Sequence, residues 1–274
     1  MNTGVRVAMF GGGLAALVGI GALVGRAVGP IDAGASGQTA ATDQSDTSDG
    51  YTLTAADTQI DPEPFSFTIT DADGRPVTEY DVLHEKELHL IVVSTGLRTY
   101  AHVHPERGEG GQWTIDLSDL PPCKYRAIAD FSPSGGTQTN VAGDLVVPGK
   151  TAAEPPLQQA LADRVDDLDI TLDAAESDWS EVVITVRRGG EVITTEPYLG
   201  AAGHLVAIEA EDLAYLHTHA LDEIPAGPVR FAVQLAPGAT HALFFDFKVD
   251  GVVRTAKFVI ENEEPDDDGT EHGH

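Results

Sequence analysis

Six of the ten histidines fall into one pattern that occurs twice. His89 is followed eleven, thirteen and fifteen residues later by Tyr100, His102 and His104, and His204 at the same intervals by Tyr215, His217 and His219. Imidazoles are the commonest ligands of transition-metal ions, and three on one surface leave a coordination position open. Residues 89–94 and 99–104 are β-branched or aromatic and flank a turn containing Gly96, so they read as a hairpin. Pairing Ser94 with Thr99 across residues 95–98 sets His89 opposite His104. His102, two residues away, then shares their face. The same construction, with Glu209 against Ala214, sets His204 opposite His219 and beside His217. A loop one residue shorter or longer would turn His89 and His204 to the other face. The competing reading is structural: histidines in apolar strands are often hydrogen-bonded core residues, and a duplication copies those too.

Other residues bear on the same chemistry. Asp130 and Asp246 recur inside apolar strands. Each is a candidate fourth ligand or a partner that orients an imidazole, and the plainer reading is a carboxylate on the solvent face of an edge strand. His84 and His241 have no counterpart in the other half and read as surface or core residues, not shared ligands. Gly96, His102, His104 and Glu109 imitate the first motif of a cupin, but no histidine follows His104 in that half to complete a cupin ligand set. Neither a Gly-x-Ser-x-Gly elbow nor His-Glu-x-x-His is present, which disfavours hydrolases. Cys123 is the single cysteine, so no internal disulfide or Cys-Cys metal motif exists.

The elements that must position these residues repeat as well. Thr52-Leu53 matches Thr171-Leu172, Gly74 matches Gly190, and Asp130-Phe131 matches Asp246-Phe247, at offsets within a few residues of the 115 that separates the histidines. Each copy reads all-β, with strands at 65–70, 128–131 and 145–147 and again at 181–186, 243–247 and 257–260. The expected architecture is two tandem immunoglobulin-like or cupredoxin-like β-sandwiches, at 51–149 and 165–261. The linker at 150–164 carries Pro155-Pro156, and residues 157–165 could form a short helix in it. Residues 262–274 read as an acidic disordered tail ending His272-Gly273-His274.

Residues 7–28 are apolar and interrupted only by Arg26, long enough for a bilayer-spanning helix. Arg6 before the run and Asp32 after it place the N-terminus in the cytoplasm and the rest outside. Residues 1–30 are therefore expected to be an uncleaved anchor, or alternatively a signal peptide cleaved near Ala33-Gly34-Ala35, so that the protein is secreted. Residues 31–50 are small and polar and read as a disordered stalk. The net charge of −28 excludes a nucleic-acid binder, which needs the opposite sign. Asp outnumbers Glu by 26 to 18 and only five residues are Lys, a composition that resembles that of proteins from halophiles.

At residues 197–207, followed by Tyr215-Leu216-His217-Thr218-His219, the sequence resembles a domain of exported and membrane-anchored proteins of bacteria and archaea. The first half keeps His89-Leu90-Ile91-Val92-Val93 and Tyr100-Ala101-His102-Val103-His104 but lacks a Pro-Tyr-Leu-Gly-Ala run. The resemblance implies a β domain outside the cytoplasm and no particular activity. The expectation is a membrane-tethered, non-enzymatic protein that binds copper or zinc, about one ion per repeat. Its role would be capture or delivery, with a metal transporter or another surface protein as partner. The alternatives are a metal-free structural or interaction module and, less favoured, a cupin-type metalloenzyme.

Overall fold

A computed structural model describes residues 49–60, 64–151, 155–175, 179–216, 218–221 and 227–262, with the side chain of His219 excepted. The expected anchor, the stalk up to residue 48, His217 and the acidic tail beyond Asn262 lie outside them. Among the described residues no helix is long and apolar enough to cross a membrane. Strands make up the chain in both halves.

The first repeat holds β1 (Thr52–Ala55), β2 (Phe65–Thr70), β3 (Tyr80–Asp81), β4 (Leu88–Ser94), β5 (Tyr100–Val103), β6 (Glu106–Arg107), β7 (Gln112–Ile115), β8 (Cys123–Pro133) and β9 (Thr139–Val147). One sheet runs β1-β2-β7-β6, and the other joins β9, β8, β4 and β5, with β3 also on β8. The second repeat holds β10 (Ala162–Val165), β11 (Leu168–Ala174), β12 (Glu181–Arg188), β13 (Glu191–Val192), β14 (His204–Glu209), β15 (Tyr215–Leu216), β16 (His219–Ala220), β17 (Val229–Ala232), β18 (Thr240–Val249) and β19 (Val252–Glu261). Its sheets run β10-β11-β12-β17-β16, with β13 on β12, and β15-β14-β18-β19. The strand order of the first repeat recurs, with β10 added at an edge. Residues 162–165, read from sequence as linker or helix, thus pair as a strand with β11. Their neighbours in the second sheet leave the backbone an open edge to hydrogen-bond, which a short helix would forgo.

Burial follows from which faces each sheet must cover. β2 alternates, with Phe65, Phe67 and Ile69 turned into the sandwich and Ser66, Thr68 and Thr70 outward. β4 is buried at every position, so both its faces are covered. Its Leu88, Leu90 and Val92 enter the core of the first repeat. Its Ile91 and Val93 pack instead with Ile128 and Ala142, and with Val206, Ile208, Ala242 and Phe244 of the second repeat. The two inner sheets therefore meet face to face through a third apolar core. Tyr100 stacks on Phe244 across it, ring centres 4.2 Å apart and 6° from parallel. A run such as Leu88–Ser94 is the sequence expected of a strand covered on both sides.

Candidate metal centre between the two repeats

The β4–β5 ladder pairs Leu90 with Val103, Ile91 with His102 and Val93 with Tyr100, and Ser94 N–H donates to Thr99 C=O at 3.0 Å. This is the register that the four-residue loop implies. Continuing it past Val103 brings His104 over His89. His89 Nδ1 stands 2.9 Å from His102 Nε2 and 3.2 Å from His104 Nε2. The three rings offer ligand atoms that all lie within 4.8 Å of one another.

The outer nitrogens fix the tautomers. Leu83 C=O can only accept, so His89 Nε2, 3.0 Å away, carries a proton. The Asp246 carboxylate accepts from His102 Nδ1 at 2.9 Å. In their neutral forms His89 Nδ1 and His102 Nε2 then both present lone pairs, and they face each other at 2.9 Å. Burial, aided by the neighbouring rings and only partly opposed by the backbone bond to Leu83, lowers the His89 pKa to about 3. Burial chiefly lowers those of His104 and His204 to about 4. These three imidazoles are neutral at pH 7.

Asp246 comes from the other repeat. It is buried, and besides His102 it accepts from Tyr100 Oη at 2.8 Å and Thr255 Oγ1 at 2.5 Å. The contact is reciprocal: Asp130 of the first repeat accepts from Tyr215 Oη of the second at 3.1 Å, and from Gln138 Nε2. Burial, and then the facing carboxylate, raises both tyrosine pKa values well above 10, so each remains a donor. The solvent-face reading of the two aspartates is corrected. β8 and β18 are inner strands, not edges, and their outward faces are covered by the opposite repeat.

The backbone of the second repeat pairs differently beyond Leu216. β14 pairs with β15 only through Ala207–Leu216 and Ile208–Tyr215. The chain then crosses to the outer sheet, where His219 pairs with Ala232 of β17. His219 is therefore not held opposite His204 by the ladder that the sequence suggested, because β17 competes for its backbone. His217 lies outside the described residues. His204 turns toward the first triad instead, its ring centre 6.3 Å from His102 and 6.4 Å from His89. Its Nε2 donates to Tyr198 C=O at 2.9 Å, as His89 does to Leu83, the residue 115 positions earlier. That carbonyl belongs to the Pro-Tyr-Leu-Gly-Ala run.

His84 was not expected here. It sits on the turn before β4, its ring centre 5.1 Å from His204 and 6.1 Å from His89. It reaches the site from a turn, outside the strand periodicity, and its equivalent in the second repeat is Leu199; the repeat pattern therefore concealed it. A cavity of about 300 Å³ is lined by His84, His89, His102 and His204, together with Tyr215, Thr218 and Phe231. Glu109, the residue of the cupin-like motif, is exposed on the short 3-10 turn after β6 and does not join the group.

No curated protein sequence matches the chain. Among solved structures it is similar to the FN1–FN3 domains of chicken CNTN1 at 12% identity, covering 77% of this chain and 64% of that one with a TM-score of 0.19. It is also similar to a β-glucuronidase of Parabacteroides merdae at 8% identity, covering 80% of this chain and 25% of that one, again with a TM-score of 0.19. The chain spans less than two thirds of either structure's length, and both TM-scores are too low to define a fold. A family described as a domain of unknown function, DUF8832, matches twice, over residues 46–147 and 163–264, and the chain belongs to that family as a tandem pair of its domains.

Proposed function

We propose that the protein binds one divalent transition-metal ion, copper or zinc, through His89 Nδ1, His102 Nε2 and His104 Nε2. A single observation carries this reading: His89 Nδ1 and His102 Nε2, the nitrogens left over once the outer hydrogen bonds are made, stand 2.9 Å apart with His104 Nε2 at 3.2 Å, an arrangement that a cation between them would satisfy. Ligand nitrogens about 2.0–2.1 Å from an ion lie about 2.9 Å apart at right angles and about 3.3 Å apart at tetrahedral ones, which brackets both separations. The outer hydrogen bonds support it further. The Leu83 carbonyl behind His89 and the Asp246 carboxylate behind His102 fix the tautomers of those two rings and raise their basicity, as in metal sites generally. The donor set is all imidazole, which suits Cu(II) and Zn(II) and offers no soft ligand for Cu(I).

On this reading the protein is not an enzyme. It captures or delivers the ion outside the cytoplasm, tethered to the membrane by residues 1–30, and hands it to a transporter or another surface protein. The strand orders match the ABED and CFG sheets of an immunoglobulin domain, and we take the repeats to be immunoglobulin-like rather than cupredoxin-like. The ring-to-ring bonds also favour a second reading, in which a proton replaces the metal and a His102 imidazolium donates to His89 while paired with Asp246.

The test is elemental analysis and calorimetric titration of untagged, chelator-treated protein carrying His272→Ala and His274→Ala. One tight equivalent of Zn(II) or Cu(II), abolished by His102→Ala with His104→Ala, is expected. Retention of that equivalent in the double variant would exclude the triad as its site, and no uptake at all would leave the proton-bridged module.

A further inference from the structure

Two hairpin turns, made equivalent by the duplication, form the mouth of the cavity. In the first, Leu83 and Lys86 exchange backbone hydrogen bonds of 2.8 and 2.9 Å around His84 and Glu85. In the second, Tyr198 and Ala201 do the same around Leu199 and Gly200. Both central residues of each turn are left-handed, with φ of 47° and 66° in the first and 50° and 77° in the second. Such turns favour Asn and Gly, so a His-Glu pair is strained there. Strain of this kind persists where a site uses it.

The strain brings the His84 ring to 5.1 Å from that of His204, at 76°. The three pairs within the inner triad have the same spacing, 5.2, 4.9 and 5.1 Å. Two imidazoles sharing one ion at nitrogen distances of about 2.0–2.1 Å place their ring centres about 5 Å apart. The donors are available. His204 Nε2 is committed to Tyr198 C=O, which leaves its Nδ1 lone pair free. His84 is exposed, and neither of its ring nitrogens has a hydrogen-bond partner among the described residues. Glu85 adds a carboxylate at the same rim, its Oε1 4.0 Å from where a Cβ on Gly200 would stand.

We propose that His84 and His204 form a second, outer binding position for a divalent transition-metal ion, with water in its remaining coordination positions. It shares no ligand with the inner triad, and so stands or falls separately from the function proposed above. The rim rings lie 6.1 to 6.4 Å from those of His89 and His102, so an ion caught at the exposed rim is one side chain from the inner three. The position takes one imidazole from each repeat.

The experiment is a Zn(II) titration, by calorimetry, of the metal-free full chain carrying His272→Ala and His274→Ala, repeated with Co(II) followed by absorption. Beyond the one tight equivalent of the inner triad, the parent should bind a second, weaker one, and His84→Asn should lose that second ion while keeping the inner one. Asn accepts the left-handed turn, so thermal unfolding of that variant should stay level or rise, separating lost binding from lost fold. An unchanged ion count in His84→Asn overturns the outer position, even if His204→Ala loses an ion, since that ion would then belong with His217 and His219. A parent that binds one ion, lost only with His102 and His104, also overturns it and leaves the triad standing. A parent that binds one ion, lost only with His84, supports the rim and removes the triad.

Discussion

Asp246 orients His102 from the far side of a repeat boundary, so its removal should act through the imidazole rather than through charge at the ion. Asp246→Asn leaves the ring free to present either tautomer, and affinity for the inner ion should fall roughly 10–100-fold, with Tyr100→Phe falling less. Titration of both variants checks this. The lowered pKa values of His89, His104 and His204 make stability pH-dependent with a definite sign. The unfolded chain takes up protons near pH 6.5 while the folded one resists until about pH 3–4. Their contribution is complete above about pH 6.5 and is lost as pH falls from there toward 3. Denaturant midpoints of the metal-free protein should show that decline. His241, fully buried, also has its pKa lowered by burial, but its nitrogens make no well-formed hydrogen bond, the backbone of Ala239 only partly offsetting that burial. An unsatisfied buried polar group costs about 1–3 kcal/mol, so His241→Leu should leave the midpoint unchanged or raise it. The inner triad was legible in the sequence because strand periodicity and one loop length set it. Asp246 was not legible as a partner of His102, because no local rule relates residues 144 apart.

At the level of elements, the site depends on close approach as much as on pairing. Gly203 precedes β14, and a Cβ there would meet Phe245 Cε2 at 2.5 Å and Asp246 O at 3.0 Å. Gly203→Ala must push β14 from β18 and move His204, costing about 1–3 kcal/mol as overpacking usually does. Unfolding measurements and Zn(II) affinity should change together. The β4–β5 hairpin could be derived because its loop length fixes the register, and Ser94 and Thr99 pair as that length requires. The crossing of β16 to the outer sheet could not. Nothing within residues 215–219 announces that Val229–Ala232 will take up the backbone of His219. The strand at Ala162–Val165 was missed for the same reason, since its partner supplies the preference for an extended chain.

The two repeats behave as one folding unit to the extent that the third core joins them. Ile91, Val93 and Ile128 of one repeat and Val206, Ile208 and Phe244 of the other are buried together in one cluster. Calorimetry should therefore show a single unfolding transition, not one per repeat. The net charge of −28 adds self-repulsion that dense ions screen, so that transition should move upward as salt is raised to molar levels. Two similar domains were legible from the repeat offsets. Their face-to-face packing was foreshadowed only by the uninterrupted apolar run of β4, which one sandwich alone would not require. The crossed hydrogen bonds, Tyr100 to Asp246 and Tyr215 to Asp130, have a consequence for inheritance. Each copy of the gene segment encodes an acceptor that serves its twin as well as a neighbour in its own half, Gln138 for Asp130 and Thr255 for Asp246. Neither copy can drift alone: a change in one half must be answered in the other, and a chain reduced to a single copy would lose the carboxylate that orients its histidine.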